Sequence, residues 1–392
     1  MKSKHLDARG TESQVQSTRA NVATGNFCPF IFPQILLKYK QSEGASMFER
    51  NLRFYRLKSG LSKKALAQAC SVTPMAISHY EAGDRKPSME VIESIAKALG
   101  IRVSDLLKRR NSGLVFQHGD FRKNASMGKS DQDLVRESVE EYFGRLYDVI
   151  EVLGGDVLLD APKCGCIELT GDVEADAAAL RSHLRIDPVG PVHDLVETLE
   201  NRGILVMVLA SESDAFSGMN GFVDGRPYVV INGSMSPERN RSTIVHELAH
   251  LMFCWPDDVQ DKAQEERATA ISGAFLLPAN DARRELGIRR SAVTNDMTLV
   301  AKEYGVSMML LAKRAHLAGI ISESAYKTFC IAASKAGWRK SEPSRIAPEQ
   351  PVLFEQLVYR AVCEDDISIQ RGAELLGADY EAVVLECAPC GV

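Results

Sequence analysis

The spacing of apolar residues between 48 and 107 predicts five short helices. In the first, Phe48, Leu52 and Tyr55 recur at intervals that place them on one face of a helix, and Leu57 is a further apolar position. The second, third and fourth helices each begin after a residue whose hydroxyl can cap the helix. The third and the fourth end at a glycine, as helices commonly do. The capping residues are Ser62, Thr73 and Ser88, the terminal glycines are Gly83 and Gly100, and the four later helices are predicted over 63–69, 74–82, 89–99 and 103–107.

A long amphipathic helix is predicted over 134–153, where apolar residues again follow helical spacing. It could pack on the rest of the protein or pair two chains, and packing is slightly favoured. Two further helices are predicted over 173–184 and 191–201. A strand follows at 204–209, after which Asp224-Gly225 marks the turn of a hairpin.

The five residues His246-Glu-Leu-Ala-His250 form the most informative motif of the chain. They lie in a helical pattern, and residues four apart face the same side of a helix. His246 and His250 could therefore hold one zinc ion, with Glu247 beside them to take the proton of a water that zinc acidifies. Because the pattern H-E-x-x-H also occurs without a metal, the alternative is that both histidines cap a helix or lie in the core.

A third ligand is expected from the helix that ends near Pro278, since catalytic zinc sites use three protein ligands and keep one position open. Glu265 and Glu266 are both within plausible reach. The helical face of Glu265 otherwise carries small side chains, which would let it approach the histidine helix closely. The alternative is that both glutamates are ordinary solvated charges.

The composition is that of a globular protein with more than one domain. The chain has 392 residues, of which 45% are apolar and 25% charged. No apolar run approaches the roughly 18 residues of a membrane helix, no export signal is visible, and the nine cysteines lack disulfide-framework spacing. We therefore expect a cytoplasmic protein with reduced thiols and no membrane partner.

Positive charge is concentrated in the first helical region. The whole chain has a net charge of -5, yet residues 48–110 contain 13 Lys and Arg against 6 Asp and Glu. A basic module on an acidic body indicates that this part meets nucleic acid. Docking to another protein is the alternative for the same module.

The five predicted helices resemble the XRE (phage repressor-like) helix-turn-helix family, through Leu61-Ser62, Val72-Thr73, Ile77-Ser78, Tyr80-Glu81 and the run 96–100. In such domains the second helix of the pair enters the major groove of DNA. Lys63 stands where many members have glutamine, which shifts that contact toward phosphate attraction. The residues expected to contact a double-stranded operator are Lys63, Thr73, Met75, Ser78, His79, Arg85 and Lys86.

The runs 239–253 and 265–278 resemble the ImmA/IrrE family of metallo-endopeptidases. The resemblance implies that His246, His250 and Glu265 bind zinc (manganese suits a similar shell), that Glu247 is catalytic, and that substrate adds as a strand along the sheet, with 228–231 as a candidate wall. It leaves Glu266 as a weaker candidate ligand. Thr269 departs from the family, which usually has Asn or Asp there to orient a ligand histidine by a hydrogen bond.

These observations predict an α+β, mostly helical protein in five parts. They are a leader (1–46) that is either disordered or precedes a natural start at Met47, the helix-turn-helix domain (47–108), a Gly-, Ser-, Lys- and Arg-rich linker in which His118 is solvated (109–129), a zincin-like peptidase domain with a small antiparallel sheet and the H-E-x-x-H helix (130–290), and a helical C-terminal region (291–392).

Two main functions are open. The first is a DNA-binding transcription regulator whose zinc endopeptidase cleaves a repressor or regulator protein, which the resemblance links to stress or mobile-element responses. The second is a transcription regulator without turnover that uses the peptidase-like domain as a sensor or dimerisation platform. A weaker third is an antitoxin-like or immunity regulator. A homodimer is the expected assembly on DNA.

Overall fold

In a computed structural model of the chain, the described residues are 47–108, 113–119, 127–211, 213, 215–256, 260–338 and 341–389. The predicted leader, residues 1–46, lies outside them. The described elements all belong to one unit that spans residues 46–392. Of the helices described, none is both long and apolar enough to cross a membrane.

In chain order, the elements of the first half are α1 (Met47–Lys58), α2 (Lys63–Ala69), α3 (Pro74–Ala82), α4 (Met89–Leu99), α5 (Val103–Leu107), β1 (Phe116–His118), α6 (Lys129–Val152), β2 (Ile167–Glu168), α7 (Val173–His183), α8 (Leu195–Glu200) and β3 (Leu205–Leu209). The second half continues with β4 (Gly218–Val223), β5 (Arg226–Asn232), α9 (Pro237–Met252), β6 (Phe253–Cys254), α10 (Asp261–Leu276), α11 (Ala279–Leu286), α12 (Met297–Tyr304), α13 (Met308–Leu317), α14 (Glu323–Lys335), α15 (Leu353–Cys363), α16 (Ile369–Leu376) and α17 (Tyr380–Glu386).

Helices α1 to α5 surround a small core of their own, and their ends follow local capping chemistry. The Ser62 hydroxyl accepts the amide of Ala65, and the Thr73 hydroxyl accepts the amide of Ala76. Gly83 ends α3 with a φ of 79°, which a residue without a side chain adopts at no steric cost. The side chains that are fully buried here are Leu52, Leu66, Ala67, Ile77, Ile95 and Leu106.

The main sheet has four strands in the order β1, β4, β5, β3. β4 runs antiparallel to β1 and β5, and the β4–β5 hairpin turns at Asp224 and Gly225. β3, however, runs parallel to β5, so the sheet is mixed and the prediction of an antiparallel sheet is wrong for this strand. Successive residues of β3 are buried on both faces, as is typical of a strand in a parallel pair. The Asp224-Gly225 turn predicts only the pairing of the two strands that it connects, so it carries no information about β3.

Helices cover both faces of this sheet. Helix α6 and part of α15 pack on one face, in a core that includes Phe143, Val139 and Tyr228. Helices α8 and α9 pack on the other face, near Val229 and Ile231, and α7 and α10 to α13 extend the same core beyond residue 290. The predicted long helix thus packs within its own chain.

Part of the predicted linker is ordered and joins the sheet. Phe116 to His118 form β1, and α6 already begins at Lys129. His118 was expected to be solvated, but its side chain is only 10% exposed. Phe116 and Met127 are buried in the core beneath α6, and this burial fixes β1 and the residues just before α6.

Helix α1 lies against α6 and joins the first helical region to the rest. Arg50 pairs with Glu140, and Arg53 lies 2.9 Å from Asp133. Positive residues of α1 thus meet a line of acids on α6.

An irregular segment from 341 to 352 is held at two points through the carboxylates of Glu238 and Glu349. Glu238, near the start of α9, accepts hydrogen bonds from the Ser344 hydroxyl and the Ile346 amide. Glu349 pairs with Arg241 and accepts the amide of Val196. The N-terminal half of α9 is therefore fixed by residues far along the chain.

Candidate metal centre and DNA-binding helices

Helix α9 presents its two histidines on one side, one turn apart. It begins after Ser236, whose hydroxyl accepts the amide of Arg239, with Pro237 in its first turn. The rings of His246 and His250 lie 5.2 Å apart between centroids. Because α9 packs on the sheet and on α10, both rings are held between helices, with His246 buried and His250 half-buried.

Helix α10 brings Glu265 to the same place. Its carboxylate oxygens lie 3.5 Å from Nε2 of His246 and 3.4 Å from Nε2 of His250. Within the described part of the chain, these three residues form the only cluster of three or more His, Cys, Asp and Glu side chains that could share a metal ion. Glu266, the weaker candidate, is not brought in, since it lies at the surface near Lys262.

The spacing of these donors fits a metal ion. In a tetrahedral shell with bonds of about 2.0–2.1 Å, neighbouring ligand atoms lie about 3.3–3.4 Å apart. Direct N–H···O hydrogen bonds are shorter, at about 2.7–3.2 Å. In addition, Nε2 of His250 is buried and makes no hydrogen bond among the described residues. A buried nitrogen that faces a carboxylate in this way suits a cation between them.

Each histidine ring contacts a different neighbour. The hydroxyl of Thr269, one turn after Glu265, lies 3.1 Å from Nδ1 of His246. The ring of Trp255 stacks on His250 with centroids 5.3 Å apart, and its indole nitrogen donates to the carbonyl of Ala249. Thr269 therefore occupies the position expected of the family's Asn or Asp. Trp255 was not foreseen, because its contact depends on the chain turning back at the end of α9.

Glu247 is nearly fully buried between α9 and β4. The side-chain amide of Asn220 in β4 donates to Oε2 of Glu247 at 2.7 Å. β4 approaches α9 so closely that a Cβ atom at Gly218 would lie 2.5 Å from Cγ2 of Thr243. Sequence reasoning missed Asn220, and its only signal was a polar residue within a short apolar strand.

The strand beside the site is β4 rather than the predicted wall at 228–231. Those residues lie in β5, which has β4 on one side and β3 on the other. β5 therefore has no edge to offer along that stretch.

The first helical region exposes most of the residues expected to contact DNA. Thr73, Met75, His79, Arg85 and Lys86 lie at the surface, and Met75 is 65% exposed. The Thr73 hydroxyl is also the cap of α3, so its side chain has a structural task as well.

Lys63 and Ser78 are less available than expected. The ammonium of Lys63 lies 3.2 Å from a carboxylate oxygen of Glu81 and 3.4 Å from the Ser78 hydroxyl. Glu81 in turn pairs with Arg56. Much of the charge of Lys63 is therefore balanced within the domain.

Comparison with known proteins supports both halves of this description. The helix-turn-helix family matches residues 52–106, and the IrrE N-terminal-like domain family matches residues 199–316. Control protein C.BamHI of Bacillus amyloliquefaciens is 42% identical over 62 residues, which are 16% of this chain and 76% of that protein. The chain belongs to the XRE-type helix-turn-helix family. It also carries an ImmA/IrrE-like peptidase domain.

The XRE-type match runs from α1 to α5, and the IrrE-like match runs from the end of α8 to α13. The second range contains both histidines, Glu247, Glu265 and Thr269. A solved structure, the apo form of ComR from S. thermophilus, is 12% identical and covers 88% of this chain and 95% of its own, but its TM-score of 0.16 supports no conclusion about the fold.

Proposed function

We propose that this protein is a DNA-bound regulator whose IrrE-like domain is a zinc-dependent endopeptidase. The observation that supports it most is the approach of His246, His250 and Glu265 to one point, beside Glu247, in a chain that also has an XRE-type DNA-binding domain. Two imidazoles and a carboxylate are the ligand set of one class of catalytic zinc sites.

In this proposal His246, His250 and Glu265 hold the ion, with Thr269 orienting His246. Zinc, or manganese in its place, would act as a Lewis acid toward the scissile carbonyl and would acidify the attacking water. Glu247 takes the proton of that water and passes it to the leaving amine. Asn220 holds one oxygen of Glu247, which fixes the carboxylate in one orientation.

The DNA-binding domain would place the peptidase at an operator. The exposed side chains of Met75 and His79 lie on α3, the helix that would enter the major groove, Thr73 caps its start, and Arg85 and Lys86 suit phosphate contacts. The protein would bind as a homodimer, as such domains commonly do. The expected substrate is a repressor or another regulator, as the resemblance to ImmA/IrrE proteins implies.

The test is the variant Glu247→Gln, compared with wild type and with the exposed-residue control Glu266→Gln. After loading with zinc, cleavage of casein should fall by about 10²–10⁴-fold in Glu247→Gln and stay unchanged in the control. Zinc content and affinity for duplex DNA should be the same in all three proteins. Cleavage at the wild-type rate by Glu247→Gln would contradict the proposed mechanism.

The non-catalytic alternative has one observation in its favour, since β1 already lies along most of β4, the strand beside the site. In that case the domain would act as a sensor or a dimerisation platform. It predicts that zinc-loaded protein cleaves nothing and that zinc changes DNA affinity or oligomeric state, which DNA titrations with and without zinc would measure.

A further inference from the structure

Strand β1 lies along the outer side of β4. Phe116, Gln117 and His118 pair with Val223, Phe222 and Gly221 in an antiparallel register. The pairing extends at both ends, because the amide of Gly119 donates to the carbonyl of Asn220 and the amide of Asp224 donates to the carbonyl of Val115. Only Gly218 and Met219 of β4 lie beyond the reach of this pairing.

The end of β1 lies next to the candidate catalytic residue. Asn220 is the contact, since its carbonyl accepts from Gly119 while its side chain donates to Glu247. The approach is tight, because a Cβ atom on Gly119 would lie 2.7 Å from Oδ1 of Asn220. The chain of β1 thus runs along β4 toward the site.

A peptide that adds to a sheet needs the free backbone groups of an edge strand. The edge of β4 opposite β5 is already paired with this segment from Asn220 through the following Asp224. A substrate strand could not extend past Asn220 along β4 while β1 is in place.

We propose that β1 is an internal competitor that keeps a substrate peptide off β4 until it leaves the sheet. This inference rests on the proposed peptidase function and concerns its regulation. β1 comes from the segment between the XRE-type domain and α6, so the competitor is part of the connection between DNA binding and cleavage.

A chain of polar contacts holds β1 and leads back to the DNA-binding domain. His118 contacts the Tyr228 hydroxyl at 2.6 Å through Nδ1 and a Glu140 oxygen at 3.1 Å through Nε2. Glu140 also pairs with Arg50 on α1. Movement of α1 away from α6 would remove Arg50 from Glu140 and weaken the hold on His118. Undocking of the XRE-type domain would therefore favour release of β1.

The first test replaces Gln117, whose side chain is exposed and whose backbone lies at the centre of the β1–β4 ladder. The flanking bonds of Gly119 and Val115 place Gln117 at a hydrogen-bonded position, because such positions alternate in an antiparallel pair. Gln117→Pro removes the N–H, whereas the matched control Gln117→Ala keeps it. Circular dichroism and thermal melting of both variants establish that they fold.

The probe is a labelled synthetic peptide with the sequence of residues 113–119, and both variants carry Glu247→Gln so that nothing is cleaved. A tethered strand competes at a millimolar effective concentration, so we expect the peptide to bind Gln117→Pro at least about tenfold more tightly than Gln117→Ala. Equal binding to the two folded variants would overturn the inference.

A second variant covers the case in which proline prevents folding. Glu140→Gln loses the charge that faces His118 and Arg50, and its control is Glu141→Gln, equally exposed at 21% but paired with Arg145 instead. Hydrogen exchange of the Asp224 amide, which β1 protects, should become faster in Glu140→Gln and stay unchanged in the control. Equal protection in both would overturn the inference.

Cleavage by zinc-loaded Gln117→Pro and Glu140→Gln, with Glu247 intact, separates this inference from the proposed function. Faster casein cleavage than wild type supports both. Tighter peptide binding or faster exchange with no cleavage by any protein supports the competitor strand and rejects the peptidase. Cleavage that is present in wild type and unchanged in both variants rejects the competitor strand and keeps the peptidase.

Discussion

The side-chain amide of Asn220 donates to Oε2 of Glu247 at 2.7 Å, across the junction between the sheet and α9. This contact joins the strand beside the site to the residue proposed as the base. It gives Asn220 a positioning role, because a carboxylate with one oxygen held has fewer orientations to sample.

Asn220→Ala should therefore lower the kcat for casein cleavage by about tenfold or more, while zinc content stays the same. The expected change is in kcat rather than KM, since Asn220 acts through Glu247. Steady-state kinetics of the variant and of Lys262→Ala, a solvent-exposed control on α10, measure it. A rise in KM alone would indicate a role in substrate binding instead.

Removal of any one of the three proposed ligands should release the metal. In His250→Ala and Glu265→Gln, zinc affinity should fall by at least about a hundredfold, because the shell loses one of its three protein donors. Competition with a chelator measures the affinity, and metal analysis after dialysis measures the content. Zinc should raise the melting temperature of wild type and of Glu266→Gln, but of neither ligand variant.

Thr269 can be tested with a pair of substitutions. Thr269→Val keeps the shape and removes the hydroxyl that contacts His246, so zinc affinity should fall by about 10–100-fold. Thr269→Asn introduces a residue usual in the family and should keep or raise the affinity. If Thr269→Val binds zinc as tightly as wild type, the hydroxyl does not orient the ligand.

Arg85 and Lys86 should contribute charge to DNA binding. Arg85→Ala and Lys86→Ala should each weaken binding to a generic duplex, and each should reduce the slope of log affinity against log salt by about 1. Lys63→Ala should have a smaller effect, since Glu81 already balances its charge. Fluorescence anisotropy over a series of salt concentrations provides the slopes, with Lys262→Ala as the control. An unchanged slope would exclude a phosphate contact.

An ion pair between α7 and α10, the helix that carries Glu265, should make the stability of the protein depend on pH. Asp176 on α7 is fully buried, accepts hydrogen bonds from Thr170 and pairs with Arg267 on α10. Burial raises the pKa of this carboxyl, but the Thr170 hydrogen bonds and Arg267 outweigh it and hold the pKa below its usual value. The ionised form is thus favoured in the folded state.

Asp176→Asn should accordingly destabilise the protein by about 2 kcal/mol at neutral pH, because Arg267 loses its charged partner. The loss is smaller than for a fully buried pair, since Arg267 keeps part of its hydration. The contribution of a carboxyl with a lowered pKa is complete above its unfolded pKa and disappears as pH falls through its folded pKa. Thermal melting at a series of pH values should show the two proteins converging in acid. A constant difference at every pH would mean that the charge is not responsible.

Features set by neighbours in the sequence were predictable. The caps at Ser62 and Thr73 fix the starts of α2 and α3, and the four-residue spacing of His246 and His250 already implied a shared helical face. Glu265 could be proposed as a ligand because its helix was recognisable and the other side chains on its helical face are small. The domain boundaries and the roles of the site residues stay predictions.

Features that depend on distant partners were not predictable. The parallel pairing of β3 with β5 and the position of β1 arise from contacts that no local pattern encodes. His118 illustrates the difficulty, because its surroundings in the sequence are polar while its partners, Tyr228 and Glu140, come from a distant strand and helix.

The hydrogen bonds between Glu238, near the start of α9, and the segment 341–352 affect the order in which the chain can fold during synthesis. Glu238 accepts a hydrogen bond from Ser344, which lies 106 residues further along the chain. The contacts that fix the start of α9 therefore cannot form until late in synthesis by the ribosome. The XRE-type domain is closed by contacts over a much shorter stretch, since the side-chain amide of Asn51 donates to the carbonyls of Leu106 and Lys108. In a nascent chain, the contacts that close the XRE-type domain can therefore form well before those that fix the start of α9.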